Sequence, residues 1–197
     1  MNQLRNEIVV FGKTRSSDSW GPDYLPELRR ILDQYVKQVT RAYLEWGAGN
    51  TTLAIIQWRD ALAIDRFFSV DDNADYLAEL VSQFPQWSGF HPICANITGP
   101  TTNDRDQGLN YSTLPLALES QFDFIFIDGR RRLECAFVAT LLSHPDTIVV
   151  LHDYRRTRYQ PMKALYEVIE DGSQFRVMRL RRDISVAEGR SIYPAHA

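Results

Sequence analysis

The chain is poor in the residues that staple or span. It has two cysteines in 197 residues, Cys94 and Cys135, both in apolar surroundings, so a disulfide framework is excluded and both read as small core residues. No stretch approaches the ~20 apolar residues of a membrane span, and the opening residues Asn2, Gln3, Arg5, Asn6 and Glu7 are polar. Excess charge is missing too: a net charge of −3 gives no ground for a general nucleic-acid or membrane-surface binder. None of the four histidines (91, 144, 152 and 196) stands at metal-helix spacing from a Cys or Glu, which removes a zinc motif, and there is no Gly-x-Ser-x-Gly elbow. Internal repeats and low-complexity segments are absent. What remains is an ordinary globular composition, 44% hydrophobic and 24% charged, at a length that suits one domain over residues 1–197, with 1–20 as an N-terminal arm or loop. A cytoplasmic protein is expected; the sequence leaves its oligomeric state open.

The most informative run is Arg41-Ala42-Tyr43-Leu44-Glu45-Trp46-Gly47-Ala48-Gly49-Asn50-Thr51-Thr52. An apolar strand reaches a carboxylate, turns through two glycines spaced i, i+2, and meets Asn50 and Thr51, which suit a helix start. Glycine tolerates positive φ and lets a ligand approach the backbone, and the helix N-terminus turns its N–H groups toward that ligand. Strand, turn and helix make the first βα unit of a Rossmann-type nucleotide site. The dinucleotide fingerprint needs a third glycine at position 52, where this chain has Thr52, and has no place for Glu45.

Elsewhere the pattern alternates strands and helices. Apolar residues at i, i+3, i+4 spacing predict a helix over 22–39, and further helices are expected over 51–61, 73–84, 131–143 and 161–170. Strands are expected at 66–71, 89–96, 122–128, 147–151 and 175–180, with a loop over 98–110 and a closing strand at 184–187. Phe122 to Asp128 is nearly all apolar and reads as a strand buried on both faces. The alternation implies an α/β fold: a Rossmann-like, doubly wound, mostly parallel sheet with helices on both faces.

Glu-x-Gly-x-Gly, running from Glu45 to Gly49, resembles the first motif of class I S-adenosylmethionine-dependent methyltransferases. The resemblance implies that Glu45, Gly47, Gly49, Asn50 and Thr51 hold the methionine end of S-adenosylmethionine. Asp71 follows Gly47 by 24 positions, close to the spacing of the acid that accepts from ribose hydroxyls; Asp72 is expected near adenine. The plain alternative is that Asp71-Asp72-Asn73 caps the next helix. The family often places an acid after the third strand to meet the adenine amino group; here Asn96 is the candidate, and a surface turn is the other reading.

Ile127-Asp128-Gly129-Arg130 and Val149-Val150-Leu151-His152-Asp153-Tyr154 end the fourth and fifth strands, at the edge where open α/β sheets bind ligands. The pair resembles small-molecule O-methyltransferases, which makes Asp128 an orienting group and His152 or Asp153 a base; helix capping is the alternative role. In metal-dependent members acids at these places hold a divalent cation. Tyr154 stands where their third ligand belongs, so a metal is the less favoured option and no metal ligand is assigned. Between 130 and 158 six arginines face three acids. Arginine forks match carboxylates and phosphates, so Arg130, Arg132, Arg155 and Arg156 are candidates for a small anionic acceptor. The expected function is methyl transfer to such an acceptor at oxygen, with no nucleic acid or membrane as partner. Two alternatives stay open: a non-catalytic binding protein of the same fold, separable by turnover, and an NAD-dependent oxidoreductase, separable by which cofactor binds.

Overall fold

The computed structural model describes residues 24–83, 87–95 and 105–182. Five parallel strands form its centre: β1 (Ala42–Trp46), β2 (Arg66–Asp71), β3 (Phe90–Cys94), β4 (Phe122–Ile127) and β5 (Ser143–His152). An antiparallel pair, β6 (Tyr166–Asp171) and β7 (Phe175–Leu180), extends the sheet in the order β3-β2-β1-β4-β5-β7-β6. All six residues of β4 are buried, Asp123 among them, as befits a strand covered on both faces. Alternation divides them: Phe124 and Phe126 face one core with Tyr43, Ile148 and Val150, while Ile125 and Ile127 face the other with Leu44 and Trp46. The first core is closed by α1 (Leu25–Tyr35), α2 (Asn50–Trp58) and α3 (Ala74–Gln83), the second by α4 (Arg105–Thr113) and α5 (Arg132–Leu141). Among the described residues no helix is long and apolar enough to cross a membrane.

The two halves of the sheet are joined at the bottom by a buried carboxylate. Asp123, fully enclosed, accepts from the backbone N–H groups of Val39 (3.1 Å), Thr40 (2.8 Å) and Arg41 (2.7 Å) and bonds His144 Nε2 at 3.0 Å. A buried charge is tolerated only when so satisfied. The network fixes where β1 starts against β4 and β5.

Three expectations need correction, and one falls outside the described residues. The segment 161–170 is not a helix: a 3₁₀ turn, Thr157–Ala164, takes in Pro161, and β6 follows. The expected loop over 98–110 contains the start of α4, whose Tyr111 is buried and draws the segment into the second core. The closing strand at 184–187, like residues 1–20, lies outside the described residues, and the antiparallel closure is made by β6 and β7. Cys135 is buried as read, whereas Cys94 is exposed at the end of β3.

Candidate functional site

Strand order reverses between β1 and β4. Such a switch point opens a crevice at the carboxyl ends of the strands. A cavity of about 470 Å³ occupies it, lined by the Gly47–Thr51 turn, Asp71, Asp72, Asp128, Arg130 and Tyr24.

The turn is built by close backbone approach. Gly47 sits at φ +98°, and a Cβ there would lie 2.5 Å from Gly129 N. Gly129 N donates to Trp46 O at 2.6 Å, so the ends of β1 and β4 are in direct contact. Gly49 differs: its φ of −178° suits any residue, and a Cβ there would meet nothing within 4 Å. Its missing side chain leaves the cleft floor open without being needed by the fold.

Glu45 does not reach the cleft. It is wholly enclosed and accepts from Thr51 Oγ1 (2.5 Å), Thr52 Oγ1 (2.6 Å) and Ser69 Oγ (2.8 Å). Burial raises its pKa to about 7, against the lowering effect of those three hydroxyls. Thr52, at the place of the missing third glycine, also accepts from Gly49 N at 2.8 Å. Glu45 therefore acts on the turn through Thr52 rather than on a ligand directly. The sequence signal was there, hydroxyls at 51, 52 and 69, but only packing aims them at one carboxylate.

Asp71 ends β2 and accepts from Ala48 N (3.0 Å) and Asn73 N (2.9 Å), one on each oxygen, leaving further lone pairs toward the cleft. Asn73 caps α3 by itself, its Oδ1 accepting from Tyr76 N at 3.0 Å. Burial raises the pKa of Asp71. Asp72 pairs with the Arg130 guanidinium at 2.6 Å, and Arg130 is 61% exposed. Asn96 lies outside the described residues.

At the ends of β4 and β5, Asp128 Oδ1 receives both His152 Nδ1 and Arg132 Nη2, each at 2.7 Å. Burial pulls the His152 pKa down, but the hydrogen bond and charge of Asp128 outweigh it and the net direction is upward. Tyr24, which sequence reasoning did not single out, packs 5.5 Å from the His152 ring, and its hydroxyl bonds the Asn50 side chain. Burial, then the nearby Asp128 charge, raises the Tyr24 pKa.

The arginines separate. Arg132 is caged: Nε donates to Gly129 O, Nη1 to His152 O and Nη2 to Asp128 O, and Asp153 lies 3.6 Å away. Its planar fork braces the two strand ends. Arg156 pairs with Asp153 at 2.6 Å, and Arg155 donates to Tyr154 Oη; neither lines the cleft. Only Arg130 of the four candidate arginines does. Asp153, at φ +58°, is likewise turned to Arg156 and away from the cleft lining. Among the described residues no group of three or more His, Cys, Asp or Glu side chains is placed to hold a metal ion.

No family model matches the sequence, and no curated protein shows significant sequence similarity to it. Solved structures do match. A methyltransferase-like protein from Silicibacter pomeroyi superposes with a TM-score of 0.63 at 15% identity, covering 89% of this chain and 94% of its own. The N-methyltransferase NodS of Bradyrhizobium japonicum (TM-score 0.49, 12% identity, 79% and 93% covered) and TrmK of M. capricolum with S-adenosyl-homocysteine (0.48, 10%, 83% and 73%) are more distant. The seven strands with their antiparallel closing pair, and the full-length match to the Silicibacter protein, give this chain the class I methyltransferase fold.

Proposed function

We propose that the protein is an S-adenosylmethionine-dependent methyltransferase that methylates a hydroxyl of a small acceptor. The observation that carries this reading is one cleft holding two different chemistries: a carboxylate, Asp71, beside an open glycine turn, and a second carboxylate, Asp128, which lines the same cleft and is hydrogen-bonded to His152. The cleft residues fit the cofactor. Asp71 has acceptor capacity for two ribose hydroxyls, and the side of Gly49 is open to a ligand. Bound there, the cofactor supplies an electrophilic methyl group.

The chain's own residues then have defined tasks. Holding acceptor and methyl in line supplies most of the rate. Asp128, by accepting at Nδ1, keeps the His152 proton on that nitrogen and leaves Nε2 to take the acceptor's proton. Arg132 keeps Asp128 in place from behind. An anionic group on the acceptor is supported by Arg130, which lines the cleft and is half free to solvent.

Calorimetric titration with S-adenosylhomocysteine should give binding at protein concentrations near ~100 µM; no heat at that concentration sinks the proposal. Turnover with a panel of hydroxyl acceptors tests the second half. A rate that rises with pH through the His152 titration supports the base, and turnover confined to amine acceptors refutes the assignment to oxygen.

A further inference from the structure

At the opposite end of the sheet lies a second cavity, about 680 Å³, lined by Lys163, Arg179, Arg181 and Arg182 with Glu167 and the buried Tyr166. β7 runs antiparallel to β5, so Arg179 and its neighbours emerge at the amino-terminal edge. The cleft opens at the carboxyl edge, a strand length of roughly 20 Å away.

Two observations set this cavity apart. Four cations and one acid line it, in a chain whose net charge is −3. The other arginines whose side chains are described are engaged: Arg29, Arg30, Arg41, Arg59, Arg130, Arg131, Arg132, Arg156 and Arg176 pair with carboxylates, and Arg66, Arg155 and Arg158 with hydroxyls. Among the described residues, Lys163, Arg179 and Arg182 have no such partner. Glu167 stands opposite Arg179 in the β6–β7 register without pairing to it, and Asp146, whose carboxyl feels Arg179, is held by Lys37. Moreover Arg179 Nε is cut off from solvent with no hydrogen-bond acceptor. A buried donor left unsatisfied is costly, and an anion in the cavity would satisfy it.

We infer that this cavity binds a small ligand through a di- or triphosphate group. Three cations without a carboxylate or hydroxyl partner among the described residues match several phosphate charges, and the fork of Arg179 matches phosphate oxygens. A concave site of this volume is of small-ligand size, and the acidic chain around it disfavours a long polyanion. The site is separate from the cleft and does not depend on the methyl-transfer reading.

The test is calorimetry with inorganic pyrophosphate on the full chain. Binding below ~1 mM is expected, unaffected by saturating S-adenosylhomocysteine. Arg179→Gln should weaken it roughly tenfold or more, the scale of one charge-assisted contact, and Arg130→Gln should leave it unchanged. Should Arg179→Gln fail to fold, the double variant Lys163→Ala/Arg182→Ala, at exposed side chains, carries the same test with a similar loss expected. The inference is overturned by no binding, by binding that survives those substitutions, or by loss in Arg130→Gln, which would put the anion in the cleft. Tighter binding of a 12-nucleotide single-stranded RNA than of pyrophosphate, with a steep salt dependence, would also overturn it in favour of an extended nucleic-acid surface.

Discussion

Replacing Glu45 by Gln should flatten the pH dependence of stability. Glu45 is sealed inside the sheet under α2, and its carboxyl titrates near 7 where an exposed one titrates near 4.5. Between those values the folded protein keeps a proton that the unfolded chain has released, so stability falls as pH rises. The contribution is present in full below 4.5 and gone once the pH has risen through about 7. At about 1.4 kcal/mol per pH unit this comes to about 3 kcal/mol, a large share of a stability of about 5–15 kcal/mol. Glutamine cannot ionise, yet keeps an acceptor for Thr51, Thr52 and Ser69, whose hydroxyls can turn to meet its amide. Urea unfolding from pH 4.5 to 8 should therefore show the wild type losing about 3 kcal/mol relative to Glu45→Gln. Taking the difference cancels the titrations of Asp71 and His152, common to both proteins. Parallel stability curves, with m unchanged, would refute the reasoning, because they would mean that the three hydroxyls hold Glu45 ionised throughout.

The two glycines of the turn should part company. Gly47→Ala forces a Cβ into Gly129 at positive φ and should cost several kcal/mol, about 3 or more, in thermal or urea melts, while Gly49→Ala should melt like wild type and lose affinity for S-adenosylhomocysteine in calorimetry. Asp71→Ala should weaken that ligand by ~2–3 kcal/mol, roughly 30- to 150-fold, and also cost about 1–2 kcal/mol of stability by freeing Ala48 N–H and Asn73 N–H; normal affinity in the folded fraction would make Asp71 a structural residue alone. Asp128→Asn should lower the His152 pKa in an NMR titration, since the carboxylate is what raises it. The stability that pair contributes is present below the ordinary histidine value of 6.5 and lost as pH rises through the raised one, so the variant's deficit should shrink at alkaline pH. A deficit constant with pH would count against the pairing.

The sequence by itself determined the elements whose signals are local. β4 is apolar but for Asp123, and a strand of that composition is buried on both faces, with Phe122 in one core and Phe124 and Phe126 in the other. The turn at Gly47 announced itself because a backbone at φ +98° in direct contact with Gly129 leaves no room for a side chain. Asp71 and Asp128 were legible as strand-end acids, and alternating strands and helices imposed a parallel sheet with the site at its carboxyl edge.

Tertiary structure decided everything that depends on which neighbour a segment meets. Residues 161–170 carry apolar side chains at spacings that suit a helix, but β7 offers a ladder of unpaired backbone groups, and Tyr166 to Asp171 pairs with it. Residues 105–113 are poor helix formers, yet burying Tyr111 beneath Trp46 and Gly129 draws them into α4. Glu45 shows the limit most clearly. Its position beside the glycine turn was visible, but whether a carboxylate faces a ligand or three hydroxyls depends on the packing of α2 and β2. Arg130 and Arg132 differ in the same way. Arg131 takes a left-handed turn at φ 49°, and α5 begins there, turning one guanidinium out beside Asp72 and the other in upon Asp128. Two identical side chains two positions apart receive opposite roles from the backbone between them, which no composition or spacing encodes.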